Sequence, residues 1–450
     1  MLLNTPSNLQ NKASPQDVVS AARDVAEGSR RLPPALLTMA NYSGTLAAVR
    51  SLGRAGINVT TADPSFFAVS SWSKFTAARV QSPAVQEADR FIEWLLAFGK
   101  ANGRHVLLPT SDDTAWLYAL HRDDLAAYFD VPGCPFDVVN RLLNKRLLYE
   151  VATEVGLLVP PTWFPGTAEE LAECGREAQF PVLVKPLTQV MFQTQSKGVI
   201  VESADALPRR YAAFARQPHA PTLLRLDPTA ARPMVQQFFR DAATGIYNIS
   251  AYVHRGRIIG ARAARKLLQQ PRRVGTGVCF EEAPVVPELI AGLDRLVAHV
   301  GFSGVFEAEF IGTPGGSVLI DFNPRFYNQM AFDIERGLPL PLLAYYDALG
   351  HADRVQEIAA TLAPDRPAAR VYVDLFSLRI LLLAQHLSGA LSVAERQQWT
   401  DWYTAHRDRC TYAVIDATDK LPAWLNAVYL LTRYARHPRA FFRTLVLNRT

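Results

Sequence analysis

The chain has 450 residues, with 47 Lys plus Arg against 42 Asp plus Glu, and a formal net charge of +5. Residues 425–450 contain no acid. The five arginines there, Arg433, Arg436, Arg439, Arg443 and Arg449, supply the whole excess, so the body is charge-balanced and a nucleic-acid binder with a basic folded face is excluded. With 49% hydrophobic residues the chain can bury a large interior, which rules out global disorder, and its length predicts two to four subdomains.

The first 33 residues are polar and are expected to be partly ordered, with a short helix at Gln16–Ala26. Met1–Gln10 offers Asn, Thr, Pro and Ser where a secretory signal needs an apolar run. Order is predicted to begin after Pro33-Pro34. The apolar run from Ala35 to Met39 reads as a buried parallel strand, Thr45 to Ala55 as a helix stopped by Gly56, and Ile57 to Thr61 as the next strand. A helix at Glu87–Phe98, a strand at His105–Leu108 and a helix at Asp113–Leu120 continue the alternation, which predicts a doubly wound parallel α/β domain over residues 34–135. The loop Ala40-Asn41-Tyr42-Ser43-Gly44 lacks GxGxxG and reads as a plain strand-to-helix turn, placed where strand ends meet substrates.

From Pro135 the texture changes. Val138 to Gly156 reads as one helix with Asn144-Lys145 near its middle, followed by a helix at Ala168–Ala178 and a β-rich region from Val182 to Ile259. A helix at Val286–Val300 precedes strands at Val305–Ile311 and Ser317–Phe322, separated by the turn-forming residues 312–316. Residues 351–450 are aromatic-rich, match no motif, and are expected to be mostly helical. Leu375–Ala384, the most apolar stretch, is interrupted by Arg379 and is about half the length of a membrane span. Cys134, Cys174, Cys279 and Cys410 form no metal spacing and read as reduced thiols. The expectation is a soluble, cytoplasmic protein.

Three constellations carry chemistry. In the hairpin, Glu309 and Asp321 fall on adjacent antiparallel strands, where opposing side chains come within about 5 Å. Two carboxylates and the Asn323 amide oxygen form a hard oxygen set suited to Mg²⁺ when phosphates complete its shell. Alternation puts Glu307 on the face of Glu309, and Asn323 on that of Asp321. The second is Val182-Leu183-Val184-Lys185-Pro186, where a lysine ends an apolar strand and is costly to bury unless it meets an anion. The third is Val235-Gln236-Gln237-Phe238-Phe239, a strand that can offer backbone groups to a purine edge beside an apolar wall. Lys145, taken alone, reads as a solvated charge on a helix surface.

In series, Asn144-Lys145, Lys185-Pro186, residues 235–239, the Glu309 strand and Asp321-Phe322-Asn323-Pro324-Arg325 resemble the ATP-grasp superfamily, in particular its D-aspartate-ligase-like carboxylate-amine ligases. The resemblance spans residues 34–350. It implies an ATP-grasp fold of α/β and α+β parts: a preceding βα domain, a grasp domain over residues 136–350 with a lid at about 178–240, and a helical extension over 351–450. It further implies ATP and Mg²⁺ as cofactors, with Mn²⁺ as a substitute. Lys145, Lys185 and Lys197 would meet the phosphates; Gln236 and the backbone of Gln237 and Phe239 would line the adenine; Asn248 would stand in for the ribose-binding acid. Glu309, Asp321 and Asn323 would hold metal, while Arg325, with Arg265 and Lys266 from the basic segment 258–277, would stabilise the reacting carboxylate.

The resemblance implies small-molecule carboxylate and amine partners joined through an acyl phosphate, with a homodimer open to the chain and no nucleic-acid partner. Two departures stand out. Asp321 replaces the commoner Glu, and residues 188–198 lack the usual glycine run. A phosphotransferase or carboxylase-like enzyme and a non-catalytic nucleotide-binding scaffold are the competing readings. The tail interleaves Leu425, Val428, Leu431, Phe441, Phe442 and Leu445 with arginines and is broken by Pro438, a pattern expected to pack its apolar side on the parent domain or to lie on an anionic membrane.

Overall fold

A computed structural model describes residues 32–192, 197–240, 245–272, 274–362 and 369–436. The helix expected at Gln16–Ala26 and the break at Pro438 lie outside these residues. The first sheet is parallel: β1 (Ala35–Thr38), β2 (Val59–Asp63), β3 (Thr76–Gln81), β4 (His105–Leu108) and β5 (Phe129–Asp130) stand in the order β3-β2-β1-β4-β5. Every residue of β1, β2 and β4 is buried, as expected of strands covered on both faces by crossover helices. Those helices include α1 (Ser43–Arg54), α2 (Ala88–Asn102) and α3 (Asp112–Leu120), the last started by a capping box between Ser111 and Thr114.

The single helix expected over residues 138–156 is two, α4 (Phe136–Leu143) and α5 (Lys145–Glu154). Asn144 breaks it: its backbone turns extended and its side-chain oxygen caps the N–H groups of Arg146 and Leu147 at 3.1 and 3.4 Å. Beyond β6 (Thr162–Trp163) and α6 (Ala168–Glu177), a small antiparallel sheet forms from β6, β7 (Val182–Lys185), β8 (Val199–Val201) and β9 (Met234–Gln237), ordered β6-β9-β7-β8. The region expected to be β-rich is interrupted between β8 and β9 by α7 (Leu207–Ala215) and α8 (Pro221–Leu226), each with a proline in its first turn, where a missing N–H costs nothing.

The third sheet carries the chemistry. Its strands β10 (Ile246–His254), β11 (Arg257–Gln270), β12 (Thr276–Ala283), β13 (Gly304–Thr313) and β14 (Gly316–Asn323) are antiparallel neighbours in the order β14-β13-β10-β11-β12, and α9 (Pro287–Val300) joins β12 to β13. After α10 (Met330–Glu335), α11 (Leu340–Ala348) and α12 (Ala352–Thr361), the chain adds β15 (Val371–Val373) and β16 (Cys410–Tyr412) to the free edge of β12. The C-terminal part is otherwise helical: α13 (Leu375–Leu387), α14 (Val393–His406) and α15 (Leu421–Arg436). The apolar run at 375–384 packs Leu378, Leu381 and Ala384 against Leu268, Val278 and Val373 of that sheet. No helix among the described residues is long and apolar enough to cross a membrane.

Candidate functional site

The β13–β14 hairpin pairs Glu309 with Asp321 and Glu307 with Asn323. Neighbouring β10 sets Asn248 opposite Glu309, so three strands present polar groups on one face of an otherwise apolar sheet. Carboxylates this close repel unless cations intervene. Four lysines supply them, from four different segments.

Lys145, the first residue of α5, is buried rather than solvated, and its ammonium meets Asp321. The break at Asn144 turns it inward, and its own N–H donates to Leu187 O at 2.9 Å just beyond β7. Lys266 Nζ donates to Glu309 Oε1 at 2.9 Å from β11. Lys185, at the end of β7, is buried; that burial, together with Lys145 beside it, pushes its pKa down to about 7. Burial likewise lowers Lys197. Burial alone would raise the carboxylates, but Lys145 and Lys185 hold Asp321 far below its usual range, and Lys266 and Lys197 hold Glu309 down.

Arg325, two residues beyond the end of β14, is clamped by Asp112 at the start of α3, Nε to Oδ1 at 2.8 Å, and also donates to Asn323 Oδ1 at 2.9 Å. Asn323 thus has its amide oxygen turned to Arg325 rather than into the Glu309–Asp321 gap. Its Nδ2 donates to Glu307 Oε2 at 3.2 Å, and Asn248 Nδ2 and Gln329 Nε2 donate to Glu307 Oε1. Glu307 is therefore a buried carboxylate held by three neutral amides. Burial and the nearby Glu309 push its pKa up. Ser43 Oγ donates to Asn328 O at 2.9 Å, and a Cβ on Gly44 would lie 2.4 Å from Tyr327 O, so the loop after β1 abuts the segment beyond β14 and needs its glycine.

Two expected site residues are placed elsewhere. Arg265 alternates with Lys266 along β11 and so faces the other way, exposed and paired with Glu281 at 3.2 Å. Asn248 is fully buried beneath Glu307 and lines neither cavity described below, so it is not positioned to meet a ribose. The Gln237 N–H is committed to Pro161 O at 2.9 Å, which leaves an adenine to the other groups of residues 236–239. Gln236 points inward, donating to Tyr149 Oη at 2.8 Å and Thr162 Oγ1 at 3.1 Å. Residues the motifs did not single out complete the site: Glu307 as an amide-held acid, Asp112, Gln329 and Tyr149. Asp112 and Gln329 lie outside every motif, and only the fold brings them in.

Two cavities meet at the charged cluster. One, of about 760 Å³, lies between the small sheet and the large one, with Leu183, Phe238, Phe239, Ile246, Ile311 and Ile320 as apolar wall and Lys185, Gln236 and Gln237 as polar groups. The other, of about 500 Å³, is polar and lined by Asp112, Glu307, Asn323, Arg325, Asn328 and Gln329. Gln189, Lys197, Lys266, Glu309 and Asp321 line both. Among the described residues no three His, Cys, Asp or Glu side chains converge as a metal cage, so a cation held by Glu309 and Asp321 would draw its remaining oxygens from a ligand.

No family model matches the chain. It is 29% identical to D-aspartate ligase of Enterococcus faecium (strain Aus0004) over 138 residues, which is 27% of this chain and 32% of that protein. It is 25% identical to the carbamoyl phosphate synthase large chain of Pyrobaculum aerophilum (strain ATCC 51768) over 327 residues, 71% of this chain and 30% of that protein. The chain thus spans about a third of each of these curated relatives. Among solved structures, L-amino acid ligase from Bacillus licheniformis superposes with a TM-score of 0.56 at 15% identity, covering 71% of this chain and 76% of that one. A biotin carboxylase–β,γ-ATP complex from Campylobacter jejuni superposes with a TM-score of 0.56 at 13% identity, covering 70% and 71%. The chain has the ATP-grasp fold.

Proposed function

We propose that the protein is an ATP- and Mg²⁺-dependent ligase that activates a small-molecule carboxylate as an acyl phosphate and joins it to an amine. The observation that carries this reading is the meeting of two cavities at one cluster of lysines and carboxylates. The apolar-walled cleft suits a purine, with Gln236 and the backbone of residues 237–239 at its edge. Beyond the Lys145–Asp321 and Lys266–Glu309 pairs, Lys185 and Lys197 are the surplus positive charge that a polyphosphate would satisfy. Glu309 and Asp321 would hold the divalent ion, which supplies neutralisation of phosphate charge.

In the polar cavity Arg325, oriented by Asp112, would hold the substrate carboxylate beside the phosphates. A carboxylate oxygen attacks the terminal phosphorus and the β,γ P–O bond breaks, leaving ADP and the acyl phosphate. The amine nitrogen then attacks the carbonyl carbon, a C–N bond forms, the C–O bond to phosphate breaks, and inorganic phosphate leaves as the nitrogen loses a proton. Lys266 and Arg325 would stabilise the charge that develops on the way. Glu307 lines the cavity as a hydrogen-bond acceptor suited to an incoming amine. The likeness to D-aspartate ligase supports amide formation.

A second reading, activation of bicarbonate by a carboxylase-like enzyme, is favoured by the match to the carbamoyl phosphate synthase large chain over 71% of this chain. The two separate in one assay. The purified full-length chain is screened for ADP release over amino acids, uronic acids and other small carboxylates with hydroxylamine present. Ligation predicts a carboxylate-dependent hydroxamate; the second reading predicts ADP release that depends on bicarbonate and yields none. Lys185→Ala and Asp321→Ala should each lower turnover by roughly 10²-fold or more. ADP release with no member of the panel, or variants as active as the parent, would sink the proposal.

A further inference from the structure

A third cavity, of about 520 Å³, lies behind Arg325, enclosed by α3, the turn at residues 131–134, the start of β13, residues 324–326 and α11. Ala115 and Ala119, one turn apart on α3, and Ala344 on α11 are buried there, and three side chains this short leave open a space that larger ones would fill. Asp112, Asn323 and Tyr327 line the polar cavity, Ala115, Ala119, Pro324 and Phe326 line this one, and Arg325 lines both, so α3 and residues 323–327 form the partition between them. Polar groups at the apolar side are turned to protein partners. Tyr118 Oη meets Thr38 Oγ1 at 2.8 Å, Cys134 Sγ accepts from Ser303 N–H at 2.9 Å, and the Arg325 guanidinium is committed to Asp112, Asn323 and Phe326 O. Arg122, half-buried just beyond α3, is different: among the described residues its guanidinium makes no hydrogen bond or ion pair. No Asp or Glu lines the cavity.

A preformed apolar space with one uncommitted cation and no acid selects an occupant with an apolar body and a single negative charge. The planar guanidinium matches a carboxylate, which it can hold through two parallel N–H donors. An apolar void of about 150 Å³ already holds a benzene ring, so the space admits one ring or a branched chain of similar size. We infer that this cavity is a second ligand site, separate from the two that meet at the charged cluster, which takes a small aryl or branched monocarboxylate and pairs it with Arg122. An occupant packed on Pro324 and Phe326 bears on the Arg325–Asp112 clamp, because Phe326 N–H donates to Pro109 O at 3.1 Å and ties both sides of the partition together. It narrows the positions open to the Arg325 guanidinium and so tightens binding of the reacting carboxylate. This coupling rests on the ligase reading, which gives Arg325 the substrate carboxylate; occupancy of the cavity does not.

The test is calorimetric titration of the full chain, without nucleotide, with phenylacetate, 3-phenylpropionate and 4-methylpentanoate, each set against its neutral alcohol. At least one acid should bind saturably with a Kd of roughly 1 mM or tighter, and more tightly than its alcohol. Arg122→Gln, at a half-exposed position, should weaken the acid at least about tenfold and leave the alcohol within about twofold. Ala119→Phe, which fills the space, should weaken acid and alcohol alike, and saturating Mg²⁺–ADP should displace neither. In the ADP-release assay the bound acid should lower KM for the substrate carboxylate at least about threefold, with kcat within about twofold. Arg122→Gln should lose this effect while its activity without the acid matches that of the parent. Binding is read without turnover, so failure of the site and failure of the ligase reading give different results. No saturable binding, binding untouched by both substitutions, displacement by Mg²⁺–ADP, or conversion of the acid itself to a hydroxamate overturns the inference. Saturable binding that leaves KM unmoved overturns the coupling to Arg325 and upholds the site.

Discussion

Lys185 ends a strand whose four residues are all buried, and the structure keeps its ammonium only poorly compensated: burial and the adjacent Lys145 bring its pKa down to about 7. A polyphosphate beside it would favour the charged form and raise that value. The lowered pKa favours neutral Lys185 in the free protein at pH 8, and on the proposed reading a bound nucleotide would favour its protonated form. Nucleotide binding should take up as much as about one proton at pH 8, with affinity falling as pH rises above 7 toward the raised pKa of the complex. Calorimetry with ADP in buffers of different ionisation enthalpy reads this as a slope, which Lys185→Gln should abolish. A zero slope in the parent protein would show that Lys185 does not meet the phosphates. Hairpin residues were legible from spacing alone, since twelve positions separate Glu309 from Asp321 with a glycine-rich turn between them. Lys145 was not. Its burial depends on a helix break at Asn144 and on a partner far along the sequence at Asp321.

Strand β11 shows how an element sorts residues that composition lumps together. The basic segment 258–277 was legible as a source of positive charge near the phosphates, but composition says nothing of which cation faces which way. Once residues 257–270 form a strand, alternation decides: Lys266 turns to Glu309, and Arg265 turns to Glu281. Lys266→Ala should lower turnover by roughly 10²-fold by removing a positioned cation from the reaction centre, whereas Arg265→Ala, which breaks one exposed pair, should leave it within about twofold and stability within about 1 kcal/mol. Steady-state rates and melting midpoints of the two variants check this, and equal losses would contradict the register. The same limit explains Asn248. The resemblance put it in place of the ribose-binding acid, but its side chain holds Glu307 in company with Gln329 and Asn323, side chains from three segments.

At the scale of the whole molecule, the central strands of the parallel sheet and the hairpin followed from periodicity and turn residues, while a separate lid was implied only by the family resemblance. The two strands added by the last hundred residues did not follow, because each is only three residues long and β15 borrows its pairing from β12, β16 from β15. That C-terminal part is tied to the N-terminal sheet through Arg50 and Asp419, both almost wholly buried. Asp419→Ala would leave a buried guanidinium without its partner. The loss should be about 3–5 kcal/mol, read as a lower melting midpoint, while Arg50→Met/Asp419→Leu should recover a good part of it. A melting midpoint unchanged by Asp419→Ala would remove this pair as the mooring of the C-terminal part.

The pairing of Lys145 with Asp321 and of Lys266 with Glu309 has a further consequence for assembly of the complex. On the proposed reading these pairs set lysines against the carboxylates that would hold the metal, and carboxylates against lysines that would meet the phosphates. A divalent ion arriving alone must displace lysines that then have no anion. A polyphosphate arriving alone must draw lysines away from carboxylates left facing each other. Arriving together, each provides what the other displaces. By reciprocity the factor by which metal tightens nucleotide must equal the factor by which nucleotide tightens metal, so on the proposed reading the ion pairs would act as a latch that opens to the metal–nucleotide complex in preference to either component.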